Sequence, residues 1–152
     1  MFYDARASQT REATRRFLLI RILIVDDHHQ FRAQLRAMLE SMEEWDVCAE
    51  AQNGVEAVEK HRYIQPHVTV MDFNMPDLNG LLASREILRK CPDATILLLT
   101  VFASPQLAIR ARREGIKGMC SKIAVDCIPL AIQSLLRDEI YFPESSGAQA
   151  GD

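Results

Sequence analysis

The strongest constraint on the fold is a repeated pattern: five short apolar runs, each followed by a stretch with helical periodicity. The runs are RILIVDD (21–27), WDVCAEA (45–51), HVTVMD (67–72), ATILLLT (94–100) and IKGMCSK (116–122). The first and fourth are apolar at consecutive positions, as a strand covered on both faces is, while the second alternates like a strand near a sheet edge. After the first run, Phe31, Leu35, Met38, Leu39 and Met42 fall on one helical stripe. Asn53, with Glu56 three residues on, opens the second helix as a variant capping box. Leu81, Leu82, Ile87 and Leu88 mark the third helix, and Ser104-Pro105 starts the fourth with a cap and a first-turn proline. Asp126 is placed to cap the fifth, which carries Ile128, Ala131, Ile132, Leu135 and Leu136, with Pro129 in its first turn, where the missing N–H does no harm. Strands joined this way need right-handed parallel crossovers, which predicts an α/β protein with a parallel sheet and helices on both faces. In such a sheet the functional crevice lies beyond the carboxyl ends of the strands.

The 152 residues suffice for one domain with a substantial core, and the apolar (48%) and charged (26%) fractions are those of an ordinary globular chain. A net charge of −3 implies neither a nucleic acid nor a membrane as partner. Cys48, Cys91, Cys120 and Cys127 show no C-x-x-C or zinc-type spacing, which fits reduced, buried thiols in the cytoplasm. Phe17-Leu18-Leu19-Ile20 is broken by Arg21 and is too short for a membrane span or a signal h-region. Residues 1–20, with Arg6, Arg11, Arg15 and Arg16 against Asp4 and Glu12, read as an arm, either flexible or partly helical. Residues 21–143 form the domain, and the small, polar residues 144–152 read as a disordered tail.

The strand ends carry the chemistry. The first run ends in Asp26-Asp27, the third in Asp72, the fourth in Thr100 and the fifth in Lys122. Any one of these residues is an ordinary cap or turn residue; their coincidence on one rim is the signal. Three carboxylates close together raise one another's pKa and invite a cation, and hard oxygen donors that leave several waters in place suit Mg2+. Lys122 offers a point charge for a phosphoryl oxygen, or for Asp72 while the site is empty, and Thr100 offers a hydroxyl. Together these groups describe phosphoryl transfer onto a carboxylate.

The segments ILIVDDHHQFR and VMDFNMPDLNG, then Thr100 and Lys122, in this order and spacing, resemble a receiver domain of bacterial two-component response regulators, the CheY-like superfamily. DDH..FR and the closing LLRDEIYFPES are similar to its NarL/LuxR-type subgroup. The resemblance covers residues 21–143 and implies a flavodoxin-like sheet of order 2-1-3-4-5. It implies that Asp72 is the phosphoacceptor and a metal ligand, that Asp27 binds Mg2+ directly, and that Asp26 holds it through water. It gives Asn74 the role of supplying a backbone carbonyl to the metal, and Thr100 and Lys122 the roles of switch hydroxyl and phosphoryl-binding lysine. Pro76 and Gly80 match the loop that shapes the site, with Gly80 expected to adopt backbone angles that other residues avoid. The implied partners are a sensor histidine kinase and a second copy in a homodimer. The implied output changes protein contacts on the face of the fourth and fifth helices, and DNA is reached only through an output domain that does not follow Tyr141-Phe142-Pro143 here. The expected activity is self-phosphorylation and self-dephosphorylation only, in the cytoplasm and without a membrane.

Two positions depart from the family pattern. Met119 stands three residues before Lys122, where many receivers have Tyr or Phe, and Val101 follows Thr100 where a small residue is usual. These departures favour an alternative, a phosphorylation-independent dimerisation or docking module, while the intact acids, Thr100 and Lys122 disfavour it. An Asp-nucleophile phosphatase would need an acid two residues after Asp72, where this chain has Asn74. Phe102 is expected to screen an Asp72 phosphate from water. His28-His29 is expected to start a helix, with a secondary influence on the acids, since imidazole suits Mg2+ poorly. His61 and His67 are expected at the surface or at a strand start, and Arg110, Arg112 and Arg113 on a solvated helix face without an aromatic platform.

Overall fold

A computed structural model of the protein describes residues 5–143, apart from the side chains of residues 15–17. Five strands, β1 (Ile20–Val25), β2 (Trp45–Ala51), β3 (Val68–Asp72), β4 (Ile96–Thr100) and β5 (Gly118–Ser121), form one parallel sheet in the order β2-β1-β3-β4-β5. Helices α1 (Ala5–Leu18), α2 (His29–Glu40), α3 (Gly54–Ile64), α4 (Gly80–Lys90), α5 (Pro105–Glu114) and α6 (Cys127–Leu136) complete the described chain. This is the flavodoxin-like, CheY-like topology. Helices α2 to α6 are the five expected from periodicity, and α1 occupies most of the N-terminal arm. Residues 1–4 of that arm and the tail 144–152 lie outside the described residues. No helix among the described residues is long and apolar enough to cross a membrane.

Because side chains alternate across a strand, each strand feeds two cores. Leu23, Val25, Met71, Leu98 and Met119 bury one face of the sheet with Ala57 of α3, Leu81 and Ile87 of α4, and Leu107 and Ala111 of α5. Ile22, Ile24, Val68, Val70, Leu97, Leu99 and Cys120 bury the other with Leu35 and Leu39 of α2 and Ile128, Ile132 and Leu135 of α6. Every residue of β3 and β4 is buried, as their unbroken apolar runs require, whereas the alternating β2 is an edge strand.

The caps read from the sequence are present at α3 and α5. Asn53 accepts from the Glu56 N–H at 2.8 Å, and Ser104 from the Leu107 N–H at 3.1 Å, with Pro105 at the first position. Asp126 does not cap α6: its backbone is already helical and its side chain makes no capping bond. A turn of backbone bonds from Cys127 to Ala124 and from Ile128 to Val125 leads into that helix instead. His61 is a second correction, being buried in α3 at 6% exposure, where burial lowers its pKa. The helical spacing of Gly54, Ala57 and His61 turns all three inward. His67 stands at the start of β3 as expected, its Nδ1 accepting from the Arg21 N–H at 2.9 Å. Arg110, Arg112 and Arg113 are exposed, but Arg112 lies over the Phe142 ring at 4.6 Å, an aromatic neighbour that the sequence order concealed. Of the four thiols, Cys120 is fully buried and the other three are half-buried, and none is in a disulfide.

The strand order places the functional rim. From β1 the chain crosses to β2 on one side and later to β3 on the other, so strand order reverses between β1 and β3. The residues at that opening are Asp26 and Asp27 after β1 and Asp72 at the end of β3.

Candidate functional site

Asp72 is 1% exposed, and neither of its carboxylate oxygens makes a hydrogen bond. Asp26 is equally buried, and Lys122 reaches both acids from the end of β5. The Lys122 Nζ lies 2.6 Å from Asp26 Oδ2 and 3.4 Å from Asp72 Oδ1, so its nearer partner is Asp26 and not the Asp72 expected from sequence. The ammonium also lies 4.3 Å from the centre of the Phe31 ring of α2, which offers it a π-face. Desolvation of Asp72 and the negative charge of Asp26 push its carboxyl up to about 6, against the opposing pull of Lys122.

Around this pair the site is rich in oxygen donors. Asp27 stands nearer the surface, and the His28 imidazole bridges the two neighbouring acids, its Nδ1 3.1 Å from Asp27 Oδ1 and 3.3 Å from Asp26 Oδ1. The His28 N–H donates to Asp26 Oδ1 at 2.8 Å, while Arg32 donates to the Asp26 carbonyl at 2.6 Å and to Glu50 at 3.1 Å. With Lys122 on Oδ2, both oxygens of the Asp26 carboxylate are engaged. Asp26, Asp27, His28 and Asp72 each place a ligand atom within 4.8 Å of the others. Buried carboxylate oxygens without donors, beside a second acid, are what a hard divalent cation would satisfy, so the residues present fit Mg2+. Asn74 is exposed, two residues beyond Asp72.

Thr100, 2% exposed, ends β4 beside Asp72, and its carbonyl accepts from the Lys122 N–H at 2.8 Å. Its hydroxyl is engaged with the Phe102 backbone, 3.2 Å from the carbonyl and 3.3 Å from the N–H. Val101 and Phe102 are 54% and 77% exposed, so both side chains after Thr100 lie largely in water. Met119 is fully buried, opposite Leu98 on β4, and belongs to the core that α5 covers.

The loop after β3 is tied back on itself by a Gly80 N–H bond to the Phe73 carbonyl at 2.9 Å, and Asn79 caps α4 by accepting from the Leu82 N–H at 2.9 Å. Gly80 does not have the unusual backbone angles expected of it, since Gly115 is the glycine with a positive φ among those described. What requires a glycine is proximity: a Cβ at position 80 would lie 2.1 Å from the Asp72 carbonyl oxygen and 2.8 Å from its carbon. The positive φ in this loop belongs to Asp77, at 69°.

The sequence-predicted Asp26, Asp27, Asp72, Thr100 and Lys122 therefore converge. Sequence reasoning missed Phe31 as the floor beneath Lys122 and Arg32 as the clamp on Asp26. Both sit in the first turns of α2, directly after the acidic pair, and helical spacing alone assigned Phe31 to the core.

A doubly wound α/β fold with an acidic crevice and a lysine facing it defines a class of protein. Residues 22–128 match the response regulator receiver domain family, and the chain belongs to it. It is 34% identical over 132 residues to the transcriptional regulatory protein LnrK of Bacillus subtilis, covering 86% of this chain and 60% of that protein. It is 35% identical over 104 residues to the response regulator GacA of Pseudomonas protegens, covering 68% of this chain and 49% of GacA. The chain thus spans about half to three fifths of the length of these relatives. A LuxR-family two-component response regulator from Aurantimonas sp. superposes with a TM-score of 0.79 at 30% identity, over 81% of this chain and 89% of that one.

Proposed function

We propose that this receiver signals through phosphorylation of Asp72 by a sensor histidine kinase, with Mg2+ held by Asp27, Asp72 and the backbone carbonyl of Asn74, and by Asp26 through a water. The observation that carries the reading is Asp72 itself, a buried carboxylate whose oxygens lack a well-formed hydrogen bond and whose nearest cation is an ammonium 3.4 Å away. An Asp72 oxygen attacks the phosphorus of the kinase's phosphohistidine. The P–N bond breaks, its electron pair stays with the departing imidazole, and an acyl phosphate forms. Lys122 pairs with one phosphoryl oxygen and Thr100 donates to another. Bound in the acidic crevice, Mg2+ offsets the charge that would otherwise keep a phosphoryl dianion from a carboxylate. Supporting the partner and output assignments is the family itself, whose relatives LnrK and GacA are named as regulators. In this reading the protein works in the cytoplasm, the phosphoryl group changes contacts on the α5–α6 face, including those of a homodimer, and DNA is reached through another domain or protein. Incubation with acetyl phosphate or a kinase and Mg2+ should add one phosphoryl mass to the wild type and none to Asp72→Asn. An unmodified wild type would sink the proposal.

A second reading, a docking module indifferent to phosphorylation, is favoured by Met119, which leaves no aromatic at that position to rotate toward Thr100. Beryllofluoride separates the two: unchanged self-association and amide exchange on its addition would favour docking alone.

A further inference from the structure

We infer that His28 is a direct nitrogen ligand for first-row transition dications in the crevice of Asp26, Asp27 and Asp72, so that Co2+, Ni2+ or Zn2+ binds through a donor that Mg2+ leaves unused. The inference rests on the metal crevice proposed above and concerns which cations it takes. Two donors about 2.1 Å from a shared ion lie roughly 3.0 Å apart at a right angle and roughly 3.4 Å apart at a tetrahedral angle. His28 Nδ1 lies 3.1 Å from Asp27 Oδ1, the oxygen of an acid that holds the ion directly, within that interval. The main chain that carries the ring is anchored at the acids, because the His28 N–H is bonded to Asp26 Oδ1 at 2.8 Å. The side chain has no part in capping α2, although His28 occupies the cap position.

An independent observation points to an ion at the same place. Asp72, 1% exposed, directs two oxygens without hydrogen bonds into the group of four ligand residues whose atoms lie within 4.8 Å. The chemistry then divides the cations. Imidazole is a weak donor to Mg2+ and a strong one to Co2+, Ni2+ and Zn2+, so a nitrogen beside three carboxylates steepens the affinity order that those metals follow at any mixed site. At 69% exposure the ring can turn its lone pair to an ion without displacing core side chains.

Calorimetric titration of the full chain with CoCl2 and with MgCl2 tests this, using wild type, His28→Ala, His28→Gln and Asp72→Asn, with visible absorption of the Co2+ complex as a second readout. Both His28 variants should lose about tenfold or more in Co2+ affinity, while Mg2+ affinity moves less than about twofold. The Co2+ absorption bands should shift in both. Equal losses for both metals, or unchanged Co2+ binding, would overturn the inference while leaving the phosphoacceptor reading intact. Co2+ binding undiminished in Asp72→Asn would place the ion elsewhere, on a thiol for example, and also overturn it. A wild type that binds neither metal would overturn this inference and the Mg2+ crevice together.

Discussion

Replacing Asp72 by Asn should stabilise the metal-free protein at neutral pH. The carboxyl is pushed from its ordinary 3.8 up to about 6 by burial and by Asp26. A rise of about two pH units, at 1.36 kcal/mol each, makes the ionised group cost the fold roughly 3 kcal/mol. The sign follows from proton binding. Below about pH 4 the carboxyl is protonated in both states and the penalty vanishes; between 4 and 6 the folded state alone holds the proton, so stability is lost as pH rises; above 6 the full penalty applies. Asn removes the charge but buries an amide with no ready partner, which returns about 1–2 kcal/mol. Lys122 keeps its 2.6 Å partner Asp26, so no cation is orphaned. The net gain should be about 1–2 kcal/mol, or several degrees in Tm for a domain of this size. Urea and thermal unfolding in EDTA at pH 7.5 and pH 4.0 measure it. A variant no more stable than wild type at pH 7.5, or a gain of the same size at pH 4.0, would refute the reasoning. Saturating Mg2+ should close the gap by stabilising the wild type selectively.

Lys122→Met should behave in the opposite way: it leaves Asp26 and Asp72 buried together without a cation and should cost about 3 kcal/mol at pH 7.5 in metal-free unfolding. The same variant should accept phosphate from acetyl phosphate about a hundredfold more slowly, as followed by mass. Gly80→Ala should lower Tm by several degrees, because its Cβ would meet the Asp72 carbonyl oxygen at 2.1 Å and only backbone can yield; an unchanged Tm would remove proximity as the reason for glycine. Phe102→Lys should leave stability within about 0.5 kcal/mol, since the ring is 77% exposed. It should shorten the lifetime of the Asp72 phosphate in a precipitation or mass assay, and a slower loss would argue against screening by the ring.

The fold was legible because its signals are local and repeated. Apolar runs of strand length, helical stripes, and Asn53 and Ser104 ahead of their helices each depend on neighbours a few residues away. The rim was legible for a related reason: a parallel sheet gathers strand ends, so residues distant in sequence converge once the alternation is known. What sequence position could not carry was the choice among partners on that rim. Lys122 had several strand-end carboxylates to choose from; it lies nearest Asp26, with the Phe31 ring 4.3 Å away as a neighbour whose helical spacing equally suits a core role. Gly80 was assigned to a backbone angle because angle is the commoner need for glycine in loops, whereas its need here is the passage of the Asp72 main chain. His61 shows a limit of polarity rules, since one histidine on the inward face of α3 is buried by geometry that outweighs its preference.

The departures at 101 and 119 bear on how an event at Asp72 could travel. Met119 is buried in the core opposite Leu98, so this position offers no aromatic ring to fill space left by Thr100. The Thr100 hydroxyl is not idle, however: it is bonded to the Phe102 backbone. A phosphoryl oxygen that takes this hydroxyl must take it from Phe102, and the segment it releases carries two exposed apolar side chains and runs directly into the Ser104 cap of α5. In the proposed reading, the coupling from chemistry to surface therefore passes along the chain, from Thr100 through Val101 and Phe102 to the start of α5, and does not require an aromatic at position 119.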